Sequence, residues 1–116
     1  MPNPVVHFEV VGKDGEALQS FYSDIFEWKI DAANPMDYGI VDTGVDGAIG
    51  GGISGVPEGE SPHAIFYVGV DDPQVTLDQV VERGGSVVME VTEIPEMVTF
   101  AMFKDPEGNV VGLVKN

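Results

Sequence analysis

The sequence predicts an α+β fold in which one pattern, a strand, a helix and then about three strands, occurs twice along 116 residues. Three observations predict it. Runs rich in β-branched and aromatic residues alternate with a period of two, as half-buried strands do. Two apolar stripes at helical spacing each follow an aspartate placed to cap a helix. The repeat divides the chain into two modules, about 1–56 and 62–116, neither of which makes a convincing domain alone. A chain of this length is a single domain, and the economical arrangement joins both sheets around a shared cleft with the helices outside.

The first strand is PVVHFEVVG, closed by Gly12. Alternation sets Val6, Phe8 and Val10 on one face and Val5, His7, Glu9 and Val11 on the other. The helix follows in DGEALQSFYSDIFEW, with Asp14 as its cap and Leu18, Phe21, Tyr22 and Ile25 as its stripe. It is expected to cover the Phe8 face, which turns His7 and Glu9 the other way. WKIDAA reads as a short strand. MDYGIVDTG and AIGGGIS read as two more, joined by the turn around Val45, Asp46 and Gly47. Glycines 50 to 52 are no phosphate loop, because no Lys-Ser/Thr pair follows and no helix begins there. They predict a bulge or a close approach of backbone.

VPEGESP is a connecting loop, after which HAIFYVGV begins the second module. This strand places His63, Ile65 and Tyr67 on one face. In DDPQVTLDQVVERGG, Asp72 caps a helix, Pro73 fits its first turn, Leu77, Val80 and Val81 form the stripe, and Gly84-Gly85 end it. SVVMEV, VTFAMF and NVVGLV complete the strands.

Charge narrows the function. Twenty acidic residues against five basic ones leave a formal net charge of -15. No Lys or Arg occurs between Lys29 and Arg83, a stretch with ten acidic residues. Such a surface repels phosphate backbones and anionic lipid, so neither nucleic acid nor membrane is an expected partner. A cationic small molecule is favoured instead. The chain has no cysteine, which excludes disulfides and thiolate metal sites. No signal peptide or apolar span is seen in the sequence, so a cytoplasmic location is expected.

Four stretches, VVHFEVVGKD, FYSDIFEWKI, HAIFYVGVDDPQVTLDQVVERGG and FKDPEGNVVGLV, together resemble the vicinal oxygen chelate superfamily. That superfamily contains glyoxalase I, extradiol dioxygenases and bleomycin-resistance proteins. The resemblance covers more than half the chain, in family order. It implies paired βαβββ modules forming a curved mixed sheet around a cleft, and a homodimer. In the family's enzymes the cleft commonly holds a divalent metal on His, Gln and Glu side chains.

Carried over by position, the resemblance places a ligand at His7. In the second module it points to Ile65, with His63 two residues early. Neither of the remaining positions offers a ligand: residues 48 to 54 contain no carboxylate or imidazole, and the last strand has Gly112. A catalytic metal site needs at least three protein ligands and an open position. Glu9, on the His7 face, and Glu107, in the turn before the last strand, are the carboxylates that could stand in. Their plainer readings are a polar patch or ion pair with His7, and a turn carboxylate. Trp28 reads as packing.

The expectation is therefore a small-molecule-binding member that lacks the usual metal site, with His7, Glu9, His63, Tyr67, Phe100 and Met102 as pocket candidates. Taken singly, Tyr67, Phe100 and Met102 suit plain packing better than recognition. No cofactor is expected, and any activity is expected to be metal-free. The alternative is a metal-dependent lyase or isomerase resembling glyoxalase I, with an extradiol-type dioxygenase behind it. Both alternatives lack their carboxylate at Gly112.

Overall fold

The computed structural model describes residues 2–56 and 59–116, so Pro57 and Glu58 of the expected connecting loop lie outside the described residues. Two compact units emerge. One is His7–Ala64, and the other joins the N-terminal residues through Val6 to Ile65–Asn116.

The first unit contains most of β1 (Val5–Gly12), then α1 (Gly15–Phe26), β2 (Lys29–Asp31), β3 (Gly39–Asp42) and β4 (Gly50–Gly55). Its strands run in the order β2-β3-β4-β1. β1 and β4 pair in parallel, with His7 opposite Gly50 and Glu9 opposite Gly52, and the other two pairings are antiparallel. Asp14 caps α1 as expected, its carboxylate accepting from the Ala17 N–H at 3.0 Å. The helix ends at Phe26 because Glu27 turns into the left-handed region (φ 59°). Ser23 Oγ then donates to the Trp28 carbonyl at 2.9 Å and secures the exit.

Phe8 projects toward Trp28, whose ring also stacks on Tyr22 and Phe26 at centroid distances of 5.2–5.8 Å. Aromatic pairs at this spacing add to simple area burial. The predicted stripe of α1 is only partly covered: Leu18 and Tyr22 are half-buried, whereas Phe21 and Ile25 are each 54% exposed. Gln19 ties the helix to the sheet, its amide donating to the Ile53 carbonyl at 2.7 Å.

The second unit repeats the plan with β5 (His63–Val70, mostly in this unit), α2 (Pro73–Glu82), β6 (Ser86–Ile94), β7 (Val98–Lys104) and β8 (Val110–Lys115). Its order is β5-β8-β7-β6, parallel between β5 and β8 and antiparallel elsewhere. The core lies between α2 and the sheet, where Leu77 (1% exposed) meets Val70, Ala101 and Leu113. Asp72 caps α2 with Pro73 in the first turn. β6 runs three residues beyond the predicted SVVMEV, because its pairing with β7 resumes after irregularities between Val87 and Thr92. The DPEGN turn before β8 is organised by Asp105. Its carboxylate accepts from the Glu107 and Asn109 N–H groups and the Asn109 side chain, each at 2.9 Å. These bonds, the Asn109 side chain first, hold its carboxyl below the usual range. Each unit is thus a βαβββ module with its helix on one face of its sheet.

Candidate functional site

In the first unit the face opposite α1 carries the polar residues. Alternation along β1 directs Phe8 and Val10 toward the helix and turns His7 and Glu9 away from it. Between them stands Tyr38, from the loop that leads into β3. Its hydroxyl lies 2.9 Å from His7 Nε2 and donates to Glu9 Oε2 at 3.0 Å. The imidazole and phenol rings are nearly parallel, 16° apart, with centroids separated by 6.3 Å.

The loop is built to place that hydroxyl. Asn34 Oδ1 accepts from the N–H groups of Met36 and Tyr38, while its Nδ2 donates to the Tyr38 carbonyl at 2.7 Å. The Asp37 N–H returns to the Asn34 carbonyl, and Asp37 adopts a left-handed conformation (φ 53°) to allow it. One asparagine side chain thereby holds both backbone polar groups of Tyr38, a local competition with regular structure at which Asn excels.

Tyr38 lies over Gly52 of β4. A Cβ on that glycine would collide with the phenol. Glycines 50 to 52 form no bulge, since β4 pairs with β1 in unbroken register, and what comes close to Gly51 and Gly52 is a ring rather than backbone: Phe8 against Gly51 and Tyr38 against Gly52.

Burial disfavours the charged form of His7 and lowers its pKa from 6.5, while the nearby Glu9 charge acts in the opposite sense and offsets part of this.

The second unit has a corresponding arrangement. Tyr67, Gly112 and Met102 stand side by side across β5, β8 and β7. Tyr67 is buried, and its ring covers Gly112 so closely that a Cβ there would run into it. Phe100, two residues from Met102, shares this face, which lies opposite the Leu77 core. The register makes Gly112 the counterpart of Gly52, and Tyr67 the counterpart of Glu9.

His63 is placed differently. It is exposed, with Nδ1 3.0 Å from the Ser61 carbonyl oxygen. It borders a shallow groove of about 620 Å³ with Val10, Leu18, Phe21, Tyr22 and Pro62, on the α1 side of its unit. His7, Glu9 and His63 therefore do not converge. Among the described residues no group of three or more His, Asp or Glu side chains is placed to hold a metal. The residues present do not fit the divalent site implied for the family's enzymes. Tyr38 engages both donors on β1, and tyrosines cover both glycines on the closing strands.

Sequence reasoning missed Tyr38 and Asn34. The expected strand MDYGIVDTG forms only over Gly39–Asp42, and Met36, Asp37 and Tyr38 belong instead to the loop that the Asn34 side chain holds, so strand alternation misplaces the tyrosine.

Among the described residues, no helix is long and apolar enough to cross a membrane.

Comparison with known proteins agrees with the fold and supplies the family. A glyoxylase-like domain-containing protein of Didymella fabae is 34% identical over 116 residues, covering 87% of this chain and 84% of that protein. CFP32 of Mycobacterium tuberculosis, provisionally named a glyoxylase, is 33% identical over 107 residues. That match takes in 86% of this chain but only 41% of the mycobacterial protein, so the chain spans less than half the length of this relative. Among solved structures, methylmalonyl-CoA epimerase from Mycobacterium tuberculosis superposes with a TM-score of 0.70 at 13% identity, over 96% of this chain and 86% of the epimerase. At that identity the likeness concerns the fold alone. The family model for the glyoxalase/bleomycin resistance protein/dioxygenase superfamily matches residues 5–113, nearly the whole chain, and the protein belongs to that superfamily.

Proposed function

We propose that this chain is a small-molecule-binding member of its superfamily that works without a divalent metal. The observation that carries the reading is the pair of covered glycines. At Gly52 and Gly112, where the fold's closing strands would present a carboxylate or amide ligand, the side-chain space is taken by Tyr38 and Tyr67. Three protein ligands are the minimum for a catalytic metal, and His7 and Glu9 are already joined through a phenol.

What remains suits recognition of a small, partly apolar molecule. In the first unit His7, Tyr38 and Glu9 offer polar groups to a ligand; in the second unit, taken by itself, Phe100 and Met102 leave part of their apolar surface uncovered beside the buried Tyr67. The formal charge of -15 favours a cationic ligand over an anionic one. A homodimer belongs to the same reading, with association strengthened by salt as self-repulsion is screened. Sedimentation at two salt concentrations tests it, and a monomer at both overturns it.

Metal analysis of the purified protein, with and without His7→Ala, is the deciding experiment. The expected content is below about a tenth of an equivalent in both, too little for a coordinated site. Stoichiometric nickel, zinc or iron that disappears in His7→Ala would overturn the proposal. A thermal-shift comparison of small aromatic amines with matching carboxylates tests the ligand class. The amines should raise the midpoint and lose effect as salt increases. Equal shifts for both series, or salt-independent affinity, would remove the electrostatic part.

A further inference from the structure

We propose that the outer face of α1 is a docking surface for a basic amphipathic helical segment of another protein. The surface lies on the side of its unit opposite His7, Tyr38 and Glu9, so the inference goes beyond the function proposed above and does not rest on it.

The helix is apolar on more sides than its own sheet uses. None of its residues is fully buried, whereas Leu77 of α2 is 1% exposed. Residues four apart lie one above the other on a helix. Ala17, Phe21 and Ile25 therefore form one row along α1, and all three are exposed. Phe21 meets Tyr22 edge-on at 5.3 Å, which joins this row to the groove that Val10, Leu18 and Pro62 continue. An apolar ridge beside an apolar groove is the surface that accepts the stripe of a partner helix. From Ala17 to Ile25 it measures about 12 Å, roughly two helical turns. Exposed apolar patches rimmed by polar groups mark interaction sites.

Charge selects the occupant. The neighbouring row is Glu16, Ser20 and Asp24, with Glu27 following at the helix exit, and all four are exposed. No basic residue occurs from Asp14 to Trp28. An acidic row thus runs beside the apolar ridge, as at the flanking positions by which a coiled coil chooses its partner. Lysines or arginines beside the partner's apolar stripe complement it. A second copy brings an identical acidic row and its own net charge of -15, which disfavours self-docking on this face. Lys13, which also lines the groove, is the exception and favours an acidic residue at that end of the segment.

The test is titration of the isotope-labelled full chain with a synthetic amphipathic helix whose leucine stripe is flanked by lysines and arginines, read by NMR and calorimetry. One control peptide replaces the basic residues with glutamates, and another scrambles the order at the same composition. The basic amphipathic peptide should bind one to one and shift the α1 amides, and both controls should bind at least about tenfold more weakly. Phe21→Ser/Ile25→Ser should weaken binding by about tenfold or more, as loss of central anchors does. Asp24→Lys should weaken it too. Glu82→Lys on α2 changes the net charge equally, yet should alter affinity by less than about twofold. A scrambled peptide that binds as tightly as the ordered one, or shifts that avoid α1, would overturn the inference. So would an affinity untouched by Phe21→Ser/Ile25→Ser. Self-association in sedimentation that this same variant abolishes would assign the face to a second copy and overturn it as well. Should the double variant fail to fold, Asp24→Lys against Glu82→Lys decides, with equal effects refuting the proposal. Failure here leaves the proposed function standing, because that reading is tested by metal content and by small amines.

Discussion

Tyr67 covers Gly112, and the two stand directly opposite each other on neighbouring parallel strands. The ring is buried on a face whose strand partner presents no side chain, so each residue explains the other. Gly112→Ala is expected to destabilise the fold by about 1–3 kcal/mol, the usual cost of forcing extra volume into a packed site. In Tyr67→Ala/Gly112→Ala the added methyl should cost much less than it does alone. Urea unfolding of the two single variants and the pair gives the coupling, and strict additivity would show that the contact carries no energy.

Asn34 should matter more than an exposed loop asparagine ordinarily does. Asn34→Ala removes three hydrogen bonds that position Tyr38, two accepted and one donated. A loss of about 1–3 kcal/mol is expected if the Tyr38 backbone groups stay poorly satisfied. Denaturant unfolding measures it, and the His7 ring signals should shift in the same variant although Asn34 has no bond to His7.

Stability should depend on pH through His7. Its folded pKa lies below the unfolded value of 6.5 because burial penalises the imidazolium. Above 6.5 both states are neutral and the contribution is fully present. As pH falls through that value the unfolded chain takes up a proton before the folded one, and stability is lost until the lower folded pKa is passed. His7→Gln should flatten this segment of the stability curve. Glu9→Gln should deepen it, since Glu9 opposes the depression. Urea midpoints across mildly acidic pH give both results.

Leu77 is the tightest part of the second unit's core, at 1% exposure. Leu77→Ala should cost about 2–5 kcal/mol, measurable by urea unfolding. Truncation of Phe21 or Ile25 on α1 should cost far less, since both remain half in solvent.

Added salt should stabilise the protein. A net charge of -15 on 116 residues repels itself in the compact state, and screening relieves that repulsion. The thermal midpoint should rise between low and physiological ionic strength, and a flat response would show that the charges are spaced too widely to matter.

The sequence expressed most of the fold because its signals are local. Asp14 and Asp72 mark the helix starts, and β-branched alternation marks β1 and β5. The repeated order identifies the two modules. Gly112 shows its missing side chain directly in the sequence, whereas the Tyr67 ring that lies against it does not show there. The candidate site was less legible because its organising residue comes from an irregular loop. His7 and Glu9 are two apart on one strand, so parity alone puts them together. Tyr38 reaches them across 31 and 29 residues of chain, through an asparagine-held turn that has no period. His63 shares the strand parity of Tyr67, yet it stands at the strand's start, where Ser61 and Pro62 set its surroundings more than alternation does. Strand patterns specify a face, and loops decide what stands on it.

Trp28 is the chain's only tryptophan, and its aromatic cluster with Phe8, Tyr22 and Phe26 lies wholly within residues 7–64. Its fluorescence therefore watches one half of the molecule while far-ultraviolet circular dichroism watches both. Coincident melting curves from these two optical signals would mean that the halves unfold as one cooperative body. An emission change that runs ahead of the dichroism would show the duplicated fold coming apart at its repeat.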